Sequence, residues 1–518
     1  MMRRSYAVVG IVGVVLLVVG VALMIGHVFP TLISNRLKGE IKLTPDSRVF
    51  ETWKNPPPPV FMEYFFFNIT NPEDFLEGKA KASVTEVGPF TYREYRGKEN
   101  VTFFENGTRV AAYTPKTFVF LPERSVGDPD VELITTVNIP AVAVMNKLKG
   151  SFFKATMVSV MMKNVKAGIF MTRTVNELLW GYKDPLLTKI HTQSPEVEEY
   201  FGLMYKKNGS HDGEFVYYTG EKNYLDYGKI DTWNGQRAMT FWSSDYSNMI
   251  KGTDGSVFHP FLTKEERLDI FTADLCRSIY MDFEKEVEVK GIPAYRFTPP
   301  RAVMASVKEN PDNAGYCVPP GNCLGSGVLK VDVCRKGVPV VVSFPHFYLG
   351  DEQYYGSISG LSPKREHHQT YLDLNPTTGV PVRASKRAQI NIILDRISGF
   401  PITRTLNGTV FPVMFLNESV VIDDASAAKL HKLLTVAKVV SYFPVLFLAL
   451  GVLFLLIFLI LVLRERKKMT TAKEKTAYTP APMSDLTEDS SENSAKNGNY
   501  VGLTPVSSTV KKNEPGPV

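Results

Sequence analysis

Charge is missing from two stretches of this 518-residue sequence. No Asp, Glu, Lys or Arg occurs from Ser5 to Ser34, and Tyr6 to Ile25 is almost wholly Val, Leu, Ile, Gly and Ala; a second apolar run covers Val439 to Leu463. Elsewhere the composition, 44% hydrophobic and 22% charged overall, is ordinary for a globular protein. A hydrocarbon layer of about 30 Å is crossed by about 20 apolar residues at 1.5 Å each, and both runs reach that length. A cleaved signal peptide carries a shorter apolar core, about 7 to 15 residues, with a small-residue cleavage site behind it. The first run therefore reads as an uncleaved anchor.

Cysteine is scarce: Cys276, Cys317, Cys323 and Cys334 are the only four. Glycosylation sequons are absent from both ends and confined to the region between the apolar runs, at Asn68, Asn100, Asn106, Asn208, Asn407 and Asn417. Basic flanks stay cytosolic, and they stand at Arg3 and Arg4 before the first run and at Arg464, Arg466, Lys467 and Lys468 after the second. The sequence thus predicts a cytosolic N-terminus (1–5), a span (6–29), a lumenal or extracellular domain (30–438), a second span (439–463) and a cytosolic tail (464–518). The sequons agree with that orientation, because only a lumenal chain receives N-glycans. In the same oxidising compartment four cysteines predict two disulfides, with three pairings open. Zinc is the competing reading, but Cys-x5-Cys is not a finger spacing and no histidine lies near enough to complete a site.

Catalytic signatures are lacking too. No Gly-x-Ser-x-Gly, His-Glu-x-x-His, phosphate loop or Gly-x-Gly-x-x-Gly appears, and no repeat of 20 to 50 residues. His367 and His368 are adjacent in sequence, a poor geometry for one metal, and read as surface residues. No catalytic residue, metal, cofactor or nucleic-acid partner is assigned, and the chain reads as a non-enzyme.

What is present between the spans is mostly strand. Val60 to Ile69, Thr117 to Leu121, Phe215 to Tyr218, Val338 to Phe344 and Ile390 to Leu394 are aromatic and β-branched. Asn106-Gly107, Asp212-Gly213, Asn234-Gly235, Asp254-Gly255 and Pro376 to Gly379 mark turns. A large, mixed, β-dominated single domain is expected. Val144 to Tyr182 departs from that pattern and reads as helical, with Phe153, Met157, Val160, Met161 and Val165 on one face. No acidic residue lies between Glu132 and Glu177, while Lys147, Lys149, Lys154, Lys163, Lys166 and Arg173 supply six positive charges. One reading is a solvated amphipathic helix. The other is an exposed basic surface, bearing Phe and Met, that attracts an acidic protein, an anionic lipid particle or a phospholipid headgroup.

The tail is rich in Ser, Thr, Asn, Lys and Pro and is expected to be disordered. Within it Tyr500-Val501-Gly502-Leu503 has the Tyr-x-x-apolar form that clathrin adaptors bind as an extended strand, so Tyr500 and Leu503 are assigned as a sorting signal.

Phe65-Phe66-Phe67-Asn68-Ile69-Thr70-Asn71-Pro72-Glu73 and Val87-Gly88-Pro89-Phe90-Thr91-Tyr92-Arg93-Glu94 resemble the start of the class B scavenger receptor ectodomain. Glu177 to Asp184, Phe344 to Phe347 and Phe411 to Met414 resemble later parts of it, and the resemblance covers both spans and the whole ectodomain. Four cysteines, with Gly321 to Leu329, look most like the lysosomal member of that family, since its cell-surface relatives carry six. The resemblance implies an α+β fold: a β-barrel-like ectodomain crossed by a lipid tunnel, an apical helical bundle (about 140–182), and bridges Cys276–Cys334 and Cys317–Cys323. It also implies a lysosomal or endosomal receptor for the hydrolase glucocerebrosidase that passes cholesterol or phospholipid. The alternative is a cell-surface receptor that takes lipid from lipoproteins. The partner-binding residues assigned are Lys147, Lys149, Ser151, Phe152, Phe153, Lys154, Met157, Met161, Lys163 and Lys166. The lysosomal member has an apical histidine suited to release in acid and an acidic dileucine tail signal. Here no histidine occurs from Ile139 to Ile190, and Tyr500 to Leu503 stands in place of the dileucine.

Overall fold

A computed structural model describes residues 2–476. Its main helices are α1 (Met2–Ile25), α2 (Val28–Glu40), α3 (Ile139–Lys147), α4 (Phe152–Asn164), α5 (Val175–Trp180), α6 (Asp424–Ser441) and α7 (Phe443–Thr476). Among the described residues, 2–18 with 448–476 form one compact unit and Val19–Phe447 the other. In the first, α1 and α7 approach closely. A Cβ on Gly13 would stand 3.1 Å from the Leu455 nitrogen, and one on Gly451 would stand 2.9 Å from the Leu17 nitrogen. Apolar transfer does not drive helices together within lipid, so small residues that let backbones pack are what hold such a pair. Both helices are long and apolar enough to cross a membrane.

The second unit is built on one large antiparallel sheet. Its strands are β1 (Val60–Ile69), β2 (Val84–Tyr95), β3 (Thr117–Phe120), β4 (Leu268–Thr272), β5 (Arg277–Val289), β6 (Ile292–Thr298), β7 (Val328–Lys330), β8 (Val340–Ser343), β9 (Tyr371–Leu374), β10 (Pro381–Leu394) and β11 (Thr409–Val421). The order is β4-β5-β6-β9-β10-β11-β1-β2-β3, with β8 also on β10 and β7 on β8. Aromatic β1 lies between β11 and β2, with Tyr64 opposite Leu416 and Phe90. Its alternate residues Met62, Tyr64 and Phe66 are buried, the period of two that one packed sheet face imposes. Among the described residues the sheet runs from β4 to β3 without closing into a barrel.

A smaller sheet joins Glu99–Phe104, Arg109–Tyr113, Phe215–Tyr218 and Ile230–Trp233. Its first hairpin turns at Asn106 (φ 55°) and Gly107 (φ 78°), residues that enter left-handed backbone at least cost. Cys276 is bonded to Cys334 and Cys317 to Cys323. The buried Trp242 indole donates to the Cys276 carbonyl at 2.6 Å, fixing the longer bridge in the core.

The segment 144–182 is only partly helical. After α4 the backbone turns at Lys166 (φ 55°), and Phe170–Thr174 forms a strand paired with Leu133–Val137. Pairing with a distant strand overrides the local helical pattern, as tertiary context does for short apolar runs. The tail signal Tyr500 and Leu503 lies outside the described residues.

Candidate functional site

Helices α3 and α4 present the basic segment. Asn138 caps α3 by accepting from the Ala141 N–H, and Pro140 occupies its first turn, where no amide donor is needed. Ile139, Ala141, Val142 and Met145 anchor α3 in the main core. α4 is seated through different residues from those the periodicity favours. Ala155 and Met162 are buried, and Met161 and Val165 are half-buried. Phe153, Met157 and Val160, by contrast, are 76%, 60% and 58% exposed, and Phe152 is 67% exposed. Ala155 rests on the turn at Gly399, where an added Cβ would lie 2.5 Å from the alanine methyl.

The result is an apolar stripe turned toward solvent. Lys147, Lys149, Lys154, Lys163 and Lys166 are exposed around it, and Ser151 is half-buried. Lys149 is not free: its ammonium meets Asp395 at 3.1 Å. A lone exposed apolar side chain needs no explanation, but four large ones on one helix, rimmed by cations, form a contiguous patch of the kind that marks binding surfaces.

Four sequon asparagines, Asn100, Asn106, Asn208 and Asn407, are exposed. Asn68 and Asn417 are half-buried within strands and their side-chain amides are engaged. Asn68 Oδ1 accepts from the Thr135 N–H at 2.7 Å. Asn417 donates to Glu63 at 2.6 Å and accepts from the Ser385 hydroxyl at 2.6 Å.

Two constellations of titratable side chains escape the sequence reading. Around Glu94 of β2, Lys386 of β10 and Glu418 of β11, Arg96, just past β2, bonds Glu418 at 2.6 Å and lies 3.0 Å from Glu94, while Lys386 bridges Glu418 (3.6 Å) and Asp274 (3.2 Å) in the loop before Cys276. Burial raises the Glu94 carboxyl above its usual range. Burial also works against ionised Glu418, but Arg96, Lys386 and Lys116 outweigh it and hold that carboxyl at about 2. Lys386 holds Asp274 well below the carboxylate range. The second constellation is histidine. His367 is exposed as expected, but His368 is buried, because helix Arg365–His368 turns it inward against His346. The available signal was a charged residue recurring in otherwise aromatic strands, as Glu94 and Glu418 do. Among the described residues no cluster of His, Cys, Asp and Glu is arranged to hold a metal ion.

A family model described as CD36 family matches residues 11–462. The chain is 42% identical to Lysosome membrane protein 2 of Homo sapiens over 481 residues, covering 93% of this chain and 99% of that protein. It is 42% identical to Lysosome membrane protein 2 of Rattus norvegicus over 483 residues, with the same coverage. Against Scavenger receptor class B member 1 of Bos taurus the identity is 32% over 471 residues, covering 90% of this chain and 91% of that one.

Proposed function

The chain belongs to the CD36 family, and from that membership we propose that it is a receptor of lysosomal or endosomal membranes that binds a hydrolase such as glucocerebrosidase at its apex. In the same reading the ectodomain conducts sterol or phospholipid through a tunnel, and the chain itself performs no catalytic step. The observation that carries the apical assignment is the exposed stripe Phe152, Phe153, Met157 and Val160 within a lysine rim. Apolar side chains supply contact area, and the rim steers an acidic partner to it. The relatives named for the lysosome membrane support the location. The same stripe favours one second reading, a cell-surface receptor for lipoproteins, because an apolar face with cations also suits an anionic lipid particle. Titrating purified ectodomain with glucocerebrosidase and, separately, with lipoprotein separates the two, and saturable binding of neither sinks both.

The orientation belongs to this proposal, with both termini cytosolic and residues 30–438 lumenal. Asn→Gln replacement at Asn100, Asn106, Asn208 and Asn407 is expected to remove one glycan each on a glycosidase-calibrated gel. Asn417→Gln is expected to shift mass least, since its amide is held between Glu63 and Ser385. A chain that runs at the same mass before and after glycosidase would reverse the topology. For the tail, Tyr500→Ala with Leu503→Ala is expected to raise the surface-biotinylated fraction severalfold, because the adaptor peptide needs both side chains. An unchanged fraction removes the signal.

A further inference from the structure

Away from the apex, two histidines lie beneath the segment that joins β8 to β9. His346 follows β8 in the run Phe344-Pro345-His346-Phe347, and His368 ends the short helix Arg365–His368. Each is 5% exposed. Their rings stack at 4.4 Å between centroids with 7° between planes, against Phe415 of β11 at 5.8 and 6.2 Å. Phe67 of β1 closes on His346 at 5.2 Å.

The hydrogen bonds determine the protonation of this pair. The Ser362 N–H donates to His346 Nδ1 at 3.1 Å, and the Lys364 N–H donates to His368 Nδ1 at 2.9 Å. A nitrogen that accepts from an amide carries no proton, so both rings are neutral with hydrogen on Nε2. Glu86 of β2 sets that tautomer in His346, its Oε2 lying 2.7 Å from Nε2. The backbone at His346 is left-handed (φ 51°), as it is at Phe347 (57°) and Leu349 (62°), conformations that non-glycine residues hold only under constraint. The His346 N–H is tied to Gln389 of β10 at 2.7 Å.

The segment's ends are held separately. The Val84 N–H donates to the Ser359 carbonyl at 2.9 Å, and the Thr370 hydroxyl donates to the Arg387 carbonyl at 3.1 Å. Between those ties, the imidazoles receive the Ser362 and Lys364 amides.

We propose that His346 and His368 are an acid-released clasp, which in its neutral, stacked form holds residues 360–369 on the sheet and which opens when His368 takes a proton. Protonation at Nδ1 of His368 sets a second N–H donor against the Lys364 N–H, and a charged ring is poorly solvated where it is buried against His346 and Phe415. The closed site resists the proton. Burial, then His346, His367, Arg387 and Lys364, hold His368 down at about 3. The other charged groups around the pair are Glu86 on β2, and Arg365 and Glu366 on the segment, with Arg365 paired to Glu284 of β5. The strands beneath, β1 and β11, offer the uncharged rings Phe67 and Phe415.

Once lifted, His368 is an ordinary imidazole with a pKa near 6.5. The advantage of the closed form is therefore complete above that value and declines progressively as pH falls from there toward about 3, because only the open form binds the proton across that window. Between pH 7 and pH 5 the ratio of open to closed rises about 25-fold. Opening uncovers His346 and Phe415, the rings His368 rests on, and moves Lys364, Arg365 and Glu366. The clasp does not rest on the apical reading, and it places an acid response in an ectodomain whose apex has no histidine.

Hydrogen exchange on the full-length protein in detergent micelles, corrected for intrinsic exchange at each pH, tests it. Amides of residues 360–369 are expected to lose protection about 25-fold from pH 7 to pH 5, while α3 and α4 keep theirs. His368→Asn retains an acceptor near the Nδ1 position and cannot titrate, so its segment is expected to exchange alike at both pH values. If that variant fails to fold, the wild-type titration decides alone. Equal wild-type protection at pH 7 and pH 5, or a loss spread evenly over the ectodomain, overturns the clasp.

Discussion

Replacing Phe152, Phe153 and Met157 together with Ser is expected to weaken binding of the apical partner by at least about 100-fold, with the thermal transition unchanged. Burying a large apolar side chain contributes roughly 1.5 to 3 kcal/mol, and three such losses, not fully additive, exceed the 2.7 kcal/mol that 100-fold represents. Folding is spared because these side chains are already 67%, 76% and 60% exposed. Charge reversal acts differently. Lys154→Glu, Lys163→Glu and Lys166→Glu are expected to slow association and flatten its salt dependence, since exposed charges act mainly on encounter. Lys149 is left out because its reversal would set a carboxylate against Asp395. Surface plasmon resonance with glucocerebrosidase and with lipoprotein, at low and physiological salt, reads both effects. Wild-type rates in the triple Ser variant would reduce the stripe to a solvated face of a structural helix.

That stripe also marks how far the sequence could be read. Charge and hydropathy alone placed the two apolar helices, and the run Val60 to Ile69 was legible as a strand because it is aromatic and β-branched. The helical face was harder. Phe153, Met157 and Val160 recur correctly for one face, but periodicity cannot say whether that face is buried. In α4 the small Ala155, seated on Gly399, does the anchoring that size and hydropathy would give to Phe153. The strand Phe170–Thr174 was hidden because its partner, Leu133–Val137, lies more than thirty residues away. His368 was misplaced for a related reason. Adjacent histidines look alike in sequence, and only the turn of a four-residue helix sends one to solvent and the other to His346.

The buried ion network was the least legible feature, since its members come from β2, β10, β11 and the loop before Cys276, and it carries the largest expected change in stability. Arg96→Ala is expected to lower the unfolding free energy by about 3 to 5 kcal/mol, because it leaves Glu418 without its nearest cation in a site where charge is poorly solvated. Glu94→Gln is expected to cost less than about 1 kcal/mol: burial raises this carboxyl and so penalises its charge, and the amide keeps its shape without that charge. The pH dependence separates these roles. In the wild type, Glu418 is held at about 2, below its ordinary value near 4.5, so its contribution is complete above 4.5 and is lost as pH falls from there toward 2. Glu94, raised by burial, works the other way and favours the fold as pH falls toward 4.5. Without Arg96, protonation of Glu418 relieves an uncompensated charge, so the deficit of Arg96→Ala should be largest at pH 7 and shrink by pH 4. Urea titrations at pH 7, 5 and 4 measure this directly. A deficit independent of pH would mean that Arg96 acts through packing alone, and a deficit below about 1 kcal/mol at pH 7 would mean that Lys386, Lys116 and water, and not Arg96, compensate Glu418.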